Sequence, residues 1–445
     1  MAWIWNSTET SRDSGLPHQQ GHLRELLQHA WTHSPFYRDF YGSHGIREKD
    51  LSEIAVTDLP FLSKQLLMEN FDKVVADPRL KKEKLEQWIQ EVHDPGQLYH
   101  DEFVVIHSSG YSGTLGIFVY DLRTWRAANT TVARHFPRPE STLEGKTRIA
   151  SYFASHGHFG AVTSTARLPR SVYDVLMVSI LDAPEHVAEQ LNAFQPHRLS
   201  GYSSGVALLA ELAISGDLNI HPQNVVVSAD LLTPAMEQKI QDAWHAPLYN
   251  LYAASESLYL AIKVPTQQEL VVMDALNILE ILSDNNDPVL PGKVGRAVLT
   301  NLYNHLFPIL RYELGDYIVR GEATSDSQTT TIRNIQGRAN DALPVMLDNG
   351  REDAIHALVL SEFYASGLQK VQFVSSRPDH VKISYVAKGS IDDEVGREFQ
   401  RLLELKGARR TTFQVQKVDH IANDPRSGKF VLVRLEGKGK EITSS

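Results

Sequence analysis

The chain has 445 residues, 42% hydrophobic and 22% charged, a globular composition, and its length suggests two or three domains because single cores seldom grow past ~250–300 residues. The absence of cysteine excludes a disulfide scaffold, a cysteine nucleophile and any zinc site with thiolate ligands. A formal net charge of -10 repels phosphate backbones at long range, so no nucleic-acid partner is expected.

In chain order, Met1-Ala2-Trp3-Ile4-Trp5-Asn6 lacks the basic start and apolar core of a signal peptide. Later apolar stretches are broken by charges well short of a bilayer span, so a cytoplasmic protein without a membrane partner is expected. Residues 21–45 have helical spacing, with Leu23, Leu26, Leu27, Ala30 and Trp31 on one stripe, and Ser34-Pro35 ends that helix. Phe103 to Ile106 and Ile117 to Tyr120 read as strands around a loop rich in Ser, Gly and Thr. Asp121 can cap the following helix, in which Leu122, Trp125, Ala128, Val132 and Phe136 keep helical spacing.

Strands and helices then alternate. Val175 to Leu181 and Val225 to Val227 read as strands; Glu185 to Phe194, Val206 to Ala213 and Thr233 to Trp244 read as helices. That alternation predicts an α/β architecture. Between 270 and 320 the pattern is strand-rich, with Leu279, Ile281, Val298 and Ile318 in extended runs. The last hundred residues read as a small α+β module. Val371 to Val374 and Val381 to Val386 flank a hairpin signal, Val395, Phe399, Leu402 and Leu403 form an amphipathic helix, and Phe413 to Val418 and Phe430 to Leu435 are further strands. The domain boundary falls at Gln336-Gly337, giving a large unit over 1–336 and a small one over 337–445.

The most informative segment is His107-Ser108-Ser109-Gly110-Tyr111-Ser112-Gly113-Thr114-Leu115-Gly116. Its glycines let backbone N–H groups converge and its hydroxyls add donors, a composition suited to phosphate oxygens and also to a flexible surface loop. It is not a Walker A loop, because a strand and no Gly-Lys-Ser/Thr helix start follows.

The loop resembles the phosphate loop of the adenylate-forming superfamily of acyl-CoA synthetases and adenylation domains, in its phenylacetate–CoA ligase-like branch. Further motifs recur in order. Ser228-Ala229-Asp230 resembles the small-residue turn beside the adenine. Tyr252-Ala253-Ala254-Ser255-Glu256 resembles Tyr-Gly-x-Thr-Glu, whose aromatic stacks near adenine and whose acid helps hold magnesium. Tyr312-Glu313-Leu314-Gly315-Asp316 resembles Tyr-x-Thr-Gly-Asp, whose aspartate binds the ribose. Gly337-Arg338-Ala339-Asn340-Asp341 resembles Gly-Arg-x-Asp-Asp, with an arginine near the nucleotide and a hinge aspartate. Arg426-Ser427-Gly428-Lys429 resembles the terminal Ser-Gly-Lys, whose lysine meets carboxylate and α-phosphate. Ser34-Pro35-Phe36-Tyr37 and Leu59-Pro60-Phe61-Leu62-Ser63-Lys64 are further habits of the branch. Departures are Ala253 for glycine, Ser255 for threonine, Leu314 for threonine, a loop without lysine, and Leu343 to Gly350 after the hinge.

The resemblance implies an α/β fold with a large N-terminal multi-sheet domain and a small, mobile α+β C-terminal domain. It implies ATP and magnesium, and coenzyme A as acceptor of the acyl group, with a carrier-protein phosphopantetheine or an amine as alternative. By residue it implies Lys429, Glu256 and Arg338 as catalytic, with Glu256 at the metal and Asp341 as hinge. The nucleotide would be held by Ser108, Ser109, Gly110, Ser112, Gly113, Thr114, Ser228, Ala229, Asp230, Tyr252, Ala253, Ser255, Asp316 and Arg338. Tyr152, His156, His158, Phe159, Tyr202 and Ala254 are expected around a small carboxylic acid, the aromatic walls suiting an aryl acid. A homodimer is a further candidate assembly.

Three rival readings stand beside this one. Gly201-Tyr202-Ser203-Ser204-Gly205 fits the G-x-S-x-G nucleophile elbow of an α/β-hydrolase, although Gln195 to Ser200 is poor strand material to precede it. His156-Gly157-His158 could mark a metal, yet lacks a third ligand pattern. A binding module that has lost catalysis is the third, against which stand Lys429, Asp316 and Glu256.

Overall fold

A computed structural model describes residues 16–108, 115–137, 145–153, 157–230, 232, 234–322, 329–335, 343–355, 359–360, 363–421 and 432–436. The described residues begin with five α-helices: α1 (Leu16–His33), α2 (Pro35–Ser43), α3 (Lys64–Glu69), α4 (Phe71–Val74) and α5 (Lys82–Glu91). Pro35 both closes α1 and opens α2, since its missing N–H is no loss at a helix start. Strands β1 (Phe103–His107) and β2 (Ile117–Asp121) then form an antiparallel hairpin whose apolar residues are buried on both faces. Asp121 caps α6 (Leu122–Ala133) through the Thr124 N–H at 2.7 Å.

Next come β3 (Thr147–Phe153), α7 (Gly160–Ala166), β4 (Tyr173–Ser179), α8 (Pro184–Phe194), β5 (Arg198–Tyr202), α9 (Ser203–Ser215), β6 (Asn224–Ser228), α10 (Pro234–Trp244) and β7 (Leu248–Ala254). All five strands are parallel, in the order β4-β3-β5-β6-β7. Every residue of β6 is buried, as expected of a parallel strand covered on both faces. The sheet then turns antiparallel through β8 (Leu258–Lys263), β9 (Leu270–Val272), β10 (Asn277–Leu282), β11 (Val294–Asn301), β12 (Ile309–Arg320) and β13 (Thr331–Ile335). Among the described residues the result is one 11-stranded sheet, ordered β10-β11-β12-β13-β9-β8-β7-β6-β5-β3-β4.

Beyond it lie the two-stranded β14 (Leu343–Met346) and β15 (Glu352–Ile355), then a four-stranded sheet. Its strands are β16 (Leu368–Arg377), β17 (His380–Ala387), β18 (Thr412–Lys417) and β19 (Val433–Leu435), ordered β18-β17-β16-β19. Helix α11 (Asp392–Lys406) buries Val395, Phe399, Leu402 and Leu403, the predicted stripe, with Phe399 between Phe373 and Phe413 at ring distances of 5.5 and 5.1 Å. Two large apolar clusters form the interior. One unites α1–α5, the hairpin and the antiparallel strands; the other unites β3–β6, their helices and the C-terminal sheet. Among the described residues no helix is long and apolar enough to cross a membrane.

One expectation is corrected. Arg198–Tyr202, within and just beyond the stretch read as poor strand material, is strand β5 in the interior of the parallel sheet. Its polar side chains are accommodated there: Arg198 donates to Asn224 Oδ1 at 2.7 Å and lies over the Phe136 ring at 4.6 Å. Position in the sheet outweighs side-chain propensity.

One early segment is tied to a late strand. Leu62 pairs in parallel with Tyr312 of β12, its N–H donating to the Arg311 carbonyl at 3.0 Å while Glu313 N–H donates back to Leu62 at 2.9 Å. Arg311 donates to the Leu59 carbonyl at 2.5 Å, lies 4.1 Å over the Phe61 ring, and pairs with Glu280 at 3.3 Å. Burial pushes the Glu280 carboxyl up, with Arg311 acting against that shift.

Candidate active site

In an open α/β sheet, ligands collect beyond the carboxyl ends of the parallel strands, near the point where strand order reverses. Those ends here are Phe153, Ser179, Tyr202, Ser228 and Ala254; strand order reverses between β3 and β5, and the sheet changes from parallel to antiparallel between β7 and β8. Four of the motif segments lie at or next to these ends.

The hairpin loop closes at its base, where Ser108 N–H donates to the Gly116 carbonyl at 2.8 Å and Gly116 N–H to Ser108 Oγ at 3.2 Å. Ser255 Oγ donates to the His107 carbonyl at 3.3 Å, and Tyr120 Oη to the Ser255 carbonyl at 2.7 Å. The loop base and the end of β7 are therefore held side by side. Burial pushes the Tyr120 hydroxyl well above the usual phenol value, with Tyr303 and Glu256 adding to it, so it stays a neutral donor.

Glu256 is 8% exposed, and its Oε1 accepts from Tyr312 Oη at 3.0 Å; Asn301 holds its carbonyl at 3.0 Å. Tyr252 Oη donates to Asp316 Oδ2 at 2.7 Å, bridging β7 and β12. Gly315, at φ +76, sits inside β12 at the bulge before Asp316, in a conformation that favours glycine. Ser108, Ser255, Glu256, Tyr252 and Asp316 thus share one frame, built from β1, β7 and β12.

Among the described residues no group of three His, Asp or Glu could enclose a metal. A lone buried carboxylate suits magnesium, which takes one or two carboxylates and completes its shell with phosphate oxygens and water. The donor set fits that ion when a nucleotide is present, and does not fit an all-protein cage.

Asp230 acts locally. Its carboxylate accepts Ser204 Oγ at 2.6 Å and Ser204 N–H at 3.1 Å, and it also accepts Ser203 N–H, capping α9. Ala229 precedes it at φ +71. Ser203 is fully buried and donates its hydroxyl to the Asp230 carbonyl at 3.1 Å. An elbow nucleophile must project into solvent, so the strand–turn–helix here does not support a hydrolase.

Tyr152 is buried with its ring 3.1 Å from where a Gly205 Cβ would stand, and Tyr202 meets Phe153 edge-on at 4.9 Å. Ala254 ends β7. Phe159 packs on His107 at 4.2 Å. His158 is wholly buried, bonds through Nε2 to the Val92 carbonyl at 2.8 Å and lies 4.5 Å from Trp88. Desolvation lowers its pKa, so it stays neutral. His107 N–H donates to its carbonyl at 2.9 Å, which makes His158 a brace behind the loop base. Ser109, Gly110, Ser112, Gly113, Thr114, His156, Arg338, Asp341 and Lys429 lie outside the described residues. Sequence reasoning missed Tyr120, Asn301 and Arg311, which carry no motif. Tyr312 stood inside one, yet nothing marked it as the partner of Glu256.

No protein-family model matches the chain. It is 22% identical to Protein CapK of Staphylococcus aureus over 431 residues, 92% of this chain and 87% of that one. It is 24% identical to the phenylacetate-coenzyme A ligase of Pseudomonas putida over 392 residues, 84% and 83% of the two. Among solved structures, 2-hydroxyisobutyryl-CoA ligase in its thioesterification state superposes with a TM-score of 0.61 at 18% identity, over 94% of this chain and 90% of that one. The same ligase in a postadenylation state, in complex with an R3-HIB-AMP ligand, gives 0.60 at 17% over 98% and 95%. The chain shares the fold of 2-hydroxyisobutyryl-CoA ligase.

Proposed function

We propose that this chain is an acid–thiol ligase: it activates a small carboxylic acid with ATP as an acyl adenylate and passes the acyl group to the thiol of coenzyme A. The observation that carries the reading is the shared frame at the strand ends, where the loop base at Ser108, the Ser255-Glu256 turn and the Tyr252–Asp316 pair meet. Support comes also from the full-length likeness to ligases that carry acyl-AMP and coenzyme A in their solved structures.

In the first step a carboxylate oxygen attacks the α-phosphorus of ATP, the bond from phosphorus to the bridging oxygen breaks, and diphosphate leaves. Both reactants are anions, and two unit charges at ~4 Å repel by about 4 kcal/mol at an effective dielectric near 20. The site must offset this with fixed donors and cations set before reaction. Segment 108–116 would take the β- and γ-phosphates, Asp316 the ribose hydroxyls, and Tyr252 the adenine face. Ser228, Ala229, Asp230, Ala253 and Ser255 would border the base. Glu256 would hold magnesium together with the nucleotide, and the ion would neutralise phosphate charge. Lys429 would meet the carboxylate and α-phosphate, with Arg338 near the nucleotide. In the second step the thiol sulfur attacks the acyl carbonyl and AMP departs with the mixed-anhydride oxygen.

The unit over 337–445 would reorient about Asp341 between the steps, against the unit over 1–336. Tyr152, His156, Phe159, Tyr202 and Ala254 would border an aryl acid, with His158 bracing them from behind. A reaction that draws on ATP and coenzyme A suits the cytoplasm, where both are available. The test is ATP–pyrophosphate exchange across aromatic, fatty and amino acids, followed by addition of coenzyme A, a carrier protein or an amine to the acid that responds. Exchange with one acid class and thioester on adding coenzyme A are expected; absence of exchange and of ATP binding with every acid overturns the reading.

A further inference from the structure

We propose that Lys64 is a phosphate-binding residue of this site, giving the diphosphate end of a nucleoside triphosphate the cation that the loop between β1 and β2 lacks. This rests on the nucleotide reading above and adds a residue to which no role has been given. From His107 to Gly116 there is no lysine or arginine, although a bound triphosphate would bring several negative charges there.

The missing charge comes from elsewhere in the chain. A Cβ placed on Gly116 would stand 2.6 Å from Ser108 Oγ and 2.9 Å from Lys64 Cε. The lysine stem therefore passes directly over the loop base, and its ammonium lies one bond beyond. Glycine at 116 leaves the space through which that stem runs. Lys64 and Ser108 converge on one point although 44 positions separate them in the numbering of the chain (108 less 64).

The backbone below Lys64 is fixed from three sides. Ser63 Oγ accepts the Leu66 N–H at 3.2 Å and so opens α3 with Lys64 as its first residue. Met68, also on α3, accepts the Ile117 N–H on its sulfur at 3.3 Å, which seats the helix against the start of β2. Leu62 pairs with Tyr312, the residue that holds Glu256. A cation, the loop base and a buried carboxylate are thereby set in register by one strand before any nucleotide arrives. Such preorganisation lowers the ordering cost of binding.

The experiment compares the full chain with Lys64→Met and Lys64→Arg, measuring binding of ATP, AMP and inorganic pyrophosphate by calorimetry in magnesium buffer. Lys64→Met is expected to weaken ATP on the order of 10- to 100-fold while AMP stays within about twofold. Lys64→Arg is expected to recover part of the loss, and pyrophosphate to displace ATP from the parent chain more readily than from Lys64→Met. Unchanged ATP affinity in Lys64→Met, or equal loss of ATP and AMP, overturns the assignment. If the parent chain binds no ATP at all, the nucleotide reading fails first and this one with it. Circular dichroism checks folding, and where Lys64→Met does not fold, Lys64→Gln beside Lys64→Arg gives the same comparison.

Discussion

Tyr312 and Glu256 are 56 positions apart, and their 3.0 Å hydrogen bond sets the direction of the one buried acid in the candidate site. Glu256→Gln removes the charge and keeps the shape; the magnesium concentration for half-maximal pyrophosphate exchange should rise at least about tenfold. Tyr312→Phe loses only the donor and should raise it by about 2- to 10-fold, with diphosphate release otherwise intact. An unchanged magnesium titration in both variants removes the acid from its assigned place. At this scale Tyr252, Glu256, Tyr312 and Asp316 were named from the sequence by their motifs, and the structure joins them in pairs through the Tyr252–Asp316 and Tyr312–Glu256 hydrogen bonds. Their supports were not so named. Tyr120, Asn301 and Arg311 act through hydrogen bonds to main-chain groups far along the chain, a pairing that leaves no local pattern.

Helix α9 and helix α1 show how elements depend on single groups. Asp230 accepts both N–H groups that open α9, so Asp230→Ala should cost about 1–2 kcal/mol in urea unfolding, while Asp230→Asn should cost less. On α1, His29 stacks on His33 at 4.2 Å and meets His305 edge-on at 5.0 Å. Burial, then the neighbouring His305 and His33, lower its pKa from 6.5 to about 4. The unfolded chain thus binds a proton in a range where the folded one does not. Stability should be full above pH 6.5 and fall as pH drops towards 4, by about 1–2 kcal/mol after allowance for the half-exposed ring. Urea titrations at pH 7 and pH 5 should show a fall to which His158 and His305, also lowered by burial, contribute as well, and His29→Gln should reduce it without abolishing it. Most elements followed from periodicity: the hairpin, α6, α8, β6 and α11 lie where apolar spacing put them. Strand β5 did not, because Arg198 and Ser200 are tolerated there only by neighbours on both sides. The short helices α3 and α4, of 6 and 4 residues, also escaped, being too brief to show a period.

For the molecule as a whole, the family resemblance carried by the motifs already implied an α/β architecture, and the 11-stranded mixed sheet agrees with it. Lys429→Ala should abolish pyrophosphate exchange yet leave thioester formation from supplied acyl adenylate within about threefold of the parent. Equal loss of both activities would show that the lysine serves the fold or the second step. Which acid the proposed reaction would take was not legible, because an acid pocket is a shape and not a motif. The bond between the Arg311 side chain and Leu59 spans 252 positions, and Tyr37 reaches Pro308 across 271. A nascent polypeptide therefore cannot seat its opening helices until translation has delivered the strand that receives them. Through that interval their greasy faces stand exposed, so slow maturation and a need for chaperones are built into the topology. Fragments ending ahead of residue 309 should accumulate as aggregates, whereas the whole chain made at low temperature should not.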